Sequence, residues 1–200
     1  MRNTLLLIAV LAVTGSLSTV NAGPPLICQP YTIGDVQSLP WHAGNDWENP
    51  DPAYDVKNLK HDTLALLNQT TPVVVRMETM RRAAIYAAKN HEAGRQLLDA
   101  LRERTSTATG ALAYFDYGYF AATLKQMEWK YKEDLSGGVD GYPFVKKALM
   151  LDSGSAEMHF AAAMMASFPF RPAEREEHLQ KAREAKSDAL LAQNLSAHFK

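Results

Sequence analysis

The chain copies part of itself. The segment Val145-Lys-Lys-Ala148-Leu-Met-Leu-Asp-Ser153 is matched 34 residues later by Leu179-Gln-Lys-Ala182-Arg-Glu-Ala-Lys-Ser187. Between the copies lies Ser155-Ala-Glu-Met-His-Phe-Ala-Ala-Ala-Met-Met-Ala-Ser167, a helical stretch so rich in small residues that a neighbouring helix can approach it closely. A period of that length holds a helix, a turn and a second helix before the pattern restarts. Each such unit leaves an apolar face that only the next unit can cover, so helices must stack on helices.

Ahead of this repeat the chain changes character three times. Met1 to Ala22 combines Arg2, an apolar run over Leu5–Val13 and small residues at Val20-Asn21-Ala22, the pattern of a cleaved signal peptide. The run is too short to cross a bilayer, which takes about 20 apolar residues. Export to the periplasm or the exterior is therefore expected, with no membrane span in the mature chain. Residues 23–55 carry prolines at 24, 25, 30, 40, 50 and 52, a density that forbids a long helix and predicts an extended N-terminal arm. Its Leu26, Ile27, Ile33, Val36, Leu39 and Trp41 are too apolar for a free linker, so the arm is expected to lie along the body.

From Val56 to Lys200 the apolar spacing becomes helical. Leu59, Thr63, Leu66 and Leu67 define one helix. Thr71 followed by Pro72 reads as the N-cap and first turn of a second, running to about Lys89. A third spans about His91–Arg104, and Thr105–Gly110 closes it. The next, Ala111 to about Lys132, is apolar on nearly every side and belongs in the interior. Its Gly118 costs about 1 kcal/mol relative to Ala in a helix interior, which points to close approach by another helix. Pro143 opens a helix ending near Leu151. Helices over Ser155–Ala166, Ala173–Lys186 and Ala189–Phe199 complete an all-α protein of antiparallel helix pairs, a solenoid or a bundle.

Tyr114, Tyr117, Gly118 and Ala121 stand at the spacing of the Trp, Leu, Gly and Tyr positions of a tetratricopeptide unit. With the 34-residue offset through Ala148 and Ala182, residues 72–199 resemble that family. Ser153 and Ser187 occupy its usual Pro position, and His159 and Arg175 its Trp and Ala positions. The resemblance implies a TPR-like solenoid whose concave face receives a peptide or protein. Ser38-Leu-Pro-Trp41 and the Tyr-Phe-Asp-x-Gly-Tyr pattern over 114–119 also resemble uncharacterised exported bacterial proteins, which imply no activity.

The candidate sites divide accordingly. Asp116 interrupts the apolar helix and needs a partner, for which Arg76, Arg81, Arg82 or a tyrosine hydroxyl is available. Arg76, Asp116, Tyr117 and Tyr119 are the candidate lining of a peptide-binding groove on a non-catalytic scaffold. The basic block from Arg76 to Arg104 has its signs interspersed at helical spacing and reads as a solvated helix face. The rival reading is a small-ligand or metal-binding protein, or an enzyme, using Cys28, His42 and the acids at 46–55. Cys28 stands alone, so no intramolecular disulfide forms. Burial, pairing between chains and ligation all remain open to it. The six histidines make no recurring metal motif, and no phosphate loop, dinucleotide fingerprint or nucleophile elbow occurs. No cofactor is called for. A formal net charge of −1 gives no reason to expect nucleic acid as a partner.

Overall fold

The computed structural model describes residues 24–42, 46–107, 110–185 and 188–199, and the expected signal segment lies outside them. The described residues form nine α-helices: α1 Pro25–Cys28, α2 Leu59–Leu66, α3 Val73–Ala87, α4 His91–Thr107, α5 Ala111–Tyr131, α6 Tyr142–Leu151, α7 Ala156–Ala166, α8 Pro172–Arg183 and α9 Ala189–His198. A 3-10 turn, Val56–Asn58, precedes α2. Among these residues there is no strand, only an isolated bridge between Trp41 and Pro50. The all-α class follows directly.

The helix boundaries have local causes. Prolines stand in the first turns of α6 and α8, where a missing N–H costs nothing. Ser155 accepts from the Met158 N–H at the start of α7, and Asp188 accepts from Leu191 N–H at the start of α9. The expected Thr71 cap does not form. Its hydroxyl donates backwards to the Leu66 carbonyl at 2.6 Å. The α3 terminus is capped instead from across the fold: the Glu157 carboxylate accepts from Val73 N–H at 3.0 Å and Val74 N–H at 3.1 Å. A full negative charge at a helix N-terminus satisfies two orphan donors and meets the positive end of the helix dipole.

Two helices make the centre. α5 touches α1, α3, α4, α6 and α7. α3 is buried along its whole length except at Arg82. α6 crosses α5 at a pair of glycines. A Cβ added at Gly118 would lie 2.6 Å from the Gly141 carbonyl, and one at Gly141 would lie 1.9 Å from the Gly118 carbonyl. Only glycine at both positions allows the two backbones to approach this closely.

The segment after residue 23 begins with the single turn α1. Leu26, Ile27, Tyr31 and Leu39 are buried against the helices, whereas Val36 is 44% exposed. Leu26 N–H donates to Gln126 Oε1 on α5 at 2.8 Å. Asn194 on α9 holds Thr32 from both sides, its Oδ1 accepting from the Thr32 N–H and its Nδ2 donating to the Thr32 carbonyl. The two ends of the described chain thus meet at one buried amide.

Candidate functional site

Arg76 and Asp116 meet, but inside the protein. Arg76 Nη1 donates to both Asp116 oxygens at 2.9 and 2.7 Å, and both side chains are fully buried. The guanidinium also donates to the Thr71 and Asn68 carbonyls. Arg104, 3.7 Å away, adds a second positive charge. Burial nevertheless dominates and pushes the Asp116 carboxyl up to about 6, against the pull of Arg76 and Arg104. Tyr117 packs edge-to-face on Phe144, with ring centroids 4.7 Å apart, and Tyr119 shares a hydroxyl–hydroxyl bond of 2.8 Å with Tyr31. All four candidate groove residues are core residues here. None offers a side chain to a partner at the surface.

Arg81 and Arg82 bind a different carboxylate, one that sequence reasoning passed over. Glu78 accepts from Arg81 at 2.7 and 2.9 Å and from Arg82 at 2.7 Å. Burial would raise its pKa, but the two guanidinium groups outweigh it and hold the carboxyl below its usual range. Arg81 also donates to the Ile27 and Trp47 carbonyls, and both guanidinium groups lie over the Trp41 ring at 5.0 and 5.5 Å. The expectation of a solvated face is therefore corrected for Arg76, Glu78 and Arg81. Charges spaced for an exposed helix face are buried because each meets a counter-charge, Arg76 in Asp116 and Glu78 in Arg81 and Arg82, and because the arginines cap backbone carbonyls. The spacing Glu78/Arg81/Arg82 is the only sequence signal of this, and it reads equally as surface ion pairs.

The rival constellation is dispersed. Cys28 is half-buried, and burial raises its thiol pKa above the ordinary value. His42 is exposed and lies 3.5 Å from Asp51. The acids of the same region cap turns or pair elsewhere. Asp51 and Asp55 accept from nearby backbone N–H groups, and Glu48 binds Lys130 and the Tyr131 hydroxyl. Among the described residues no three His, Cys, Asp or Glu are grouped to hold a metal ion.

A recess lined largely by apolar side chains lies beside the glycine crossing. Ala122, Gln126, Val139, Gly141, Tyr142, Met165 and Phe168 enclose a pocket of about 220 Å³ between α5, α6, α7 and the turn before α8. Phe168 and the neighbouring Phe170 are 48% and 70% exposed. Lys125, Arg171 and Asp140 stand at its rim. Arg171 lies 4.6 Å over the Tyr142 ring. No local pattern marks this place, because its walls come from three separated segments.

No protein-family model matches this sequence, and no curated protein and no solved structure matches it.

Proposed function

We propose that this chain is an exported, TPR-like helical scaffold that binds a protein or peptide partner by taking one of its apolar side chains into the pocket between α5, α6 and α7. The export reading rests on the Met1–Ala22 pattern, and the repeat reading on the 34-residue offset together with the all-helical fold. One observation carries the placement. Phe168 lines a pocket walled by Val139, Tyr142 and Met165 while staying 48% exposed, and Phe170, two residues on, is 70% exposed. Exposed aromatic side chains around an apolar recess are the usual form of an anchor site, with polar groups at the rim setting orientation. Here the rim offers the cationic Lys125 and Arg171 and the anionic Asp140. The buried set Arg76, Asp116, Tyr117 and Tyr119 then holds the scaffold and does not touch the partner.

Photo-crosslinking tests this. A benzoylphenylalanine at position 168 of the mature protein should trap a partner in the exported fraction. Ala122→Trp, which fills the pocket, should abolish the adduct while circular dichroism stays helical. An equal yield of the adduct from the filled variant would overturn the placement.

A further inference from the structure

His159 on α7 and His178 on α8 meet through their ring edges at a tilt of 36°, each almost fully buried. Their Nδ1 atoms are 2.9 Å apart and their ring centroids 5.1 Å apart. Each outer nitrogen also has a fixed neighbour. His159 Nε2 lies 3.2 Å from the Ser153 carbonyl oxygen, and His178 Nε2 lies 3.2 Å from the Tyr142 hydroxyl.

These contacts dictate where the protons sit. A carbonyl can only accept, so the neutral His159 carries its proton on Nε2 and leaves Nδ1 bare. His178 must then donate from Nδ1 to that bare nitrogen. Its own Nε2 is left as an acceptor, which takes the Tyr142 O–H. A single chain of donors thus joins α6, α8 and α7.

A first added proton can be accommodated: on His178 Nε2 it finds the Tyr142 oxygen, once that hydroxyl turns to accept. A second has no place. It would set N–H against N–H across 2.9 Å, between two positive rings. We propose that the His159–His178 pair is a proton switch, which ties α7 to α8 and α6 while neutral and parts them when both rings are charged. The inference does not depend on what the pocket holds, although Tyr142 is at once the last link of the chain and a wall of that pocket.

The surroundings set the direction. Burial draws both rings below the ordinary imidazole value. Lys181 faces both and disfavours a further positive charge, and Arg171 lies against Tyr142. Glu177 faces both rings and favours charge, as do Glu184 toward His159 and Glu174 toward His178. Glu177 is already occupied by Lys181 at 2.8 Å. Because the folded-state values are depressed, the unfolded chain takes protons first, near the unperturbed value of about 6.5. Stability from the neutral pair is complete above that pH. It falls as pH drops through it toward the folded-state values, by up to about tenfold in the folding equilibrium per ring and pH unit.

Two measurements test the switch. Long-range ¹H–¹⁵N spectra of the unaltered protein at pH 7.5 should show His159 protonated on Nε2 and His178 on Nδ1, with both rings titrating below free histidine. Urea unfolding at pH 7.5 and pH 5.5 should then show a loss of folding equilibrium at least tenfold greater for the wild type than for His159→Gln/His178→Gln. A proton on His159 Nδ1, ordinary titration of both rings, or an equal pH slope in the folded double variant would each overturn the proposal. If the double variant does not fold, the spectra of the unaltered protein decide alone.

Discussion

Removing Arg76 should damage this protein more than most single substitutions, and by an amount that depends on pH. Arg76→Met keeps much of the side-chain volume but leaves Asp116 in the interior without its two-pronged partner. Breaking a buried ion pair by deleting one member costs about 3–5 kcal/mol. Arg104, 3.7 Å from Asp116 but 30% exposed, offsets part of that loss. The Thr71 carbonyl, left without its donor, adds back about 1 kcal/mol. About 3–5 kcal/mol is therefore expected at pH 7.5, which is roughly a 2 M fall in urea midpoint at a slope of about 2 kcal/mol/M. The Asp116 carboxyl already stands at about 6 with Arg76 present, and losing Arg76 raises it further. A raised carboxyl contributes stability at low pH that is lost as pH climbs through the folded-state value. The variant should therefore suffer less at pH 5.0 than at pH 7.5. Urea unfolding followed by circular dichroism at both values measures this, with Arg76→Met/Asp116→Leu expected to recover most of the loss. A cost below about 1 kcal/mol at pH 7.5, or one that does not change with pH, would refute the argument that a buried charge is being stranded.

Two further perturbations follow from contacts. Gly118→Ala would gain about 1 kcal/mol of helix propensity on an open surface, yet its new Cβ would press on the Gly141 carbonyl at 2.6 Å. Both Gly118→Ala and Gly141→Ala should lower the thermal midpoint, the second more because its backbone clash is closer, at 1.9 Å. Overpacking of about 1–3 kcal/mol corresponds to roughly 2–12 °C in a chain of this size, and a rise in either midpoint would contradict the close crossing. Asn194→Ala should cost about 2 kcal/mol, because it strands both the N–H and the carbonyl of Thr32. Amide exchange at residues 31–34 should accelerate well before global unfolding. Unchanged protection there would mean that the amide clamp does not hold the segment.

Much of the fold was readable from residues close together in the chain. A helix begins and ends through groups within one turn of its terminus, so Pro143, Ser155 and the Gly110 break located α5, α6 and α7 to within a residue or so. The 3.6-residue period assigned the all-α class, and the cost of Gly118 foretold the close crossing that Gly141 completes. The sequence also narrowed the partners of Asp116 to a few arginines or a hydroxyl. These are decisions made within three or four positions of a helix, where physical chemistry is nearly independent of the rest of the chain.

What joins distant segments had no such local basis. Thr71 looked like the cap of α3 until Glu157, on another helix, took the same N–H groups. Arg76, Glu78 and Arg81 had the spacing of surface charges, and only the burial of α3 on all sides turned them into interior pairs. The His159–His178 contact and the pocket beside Phe168 depend on the register at which α6 and α8 pack against α7. Side-chain identity sets what each residue can do with a partner. Which partner it meets is decided by the register of helices packed against one another, summed over the whole apolar core rather than written at any one position.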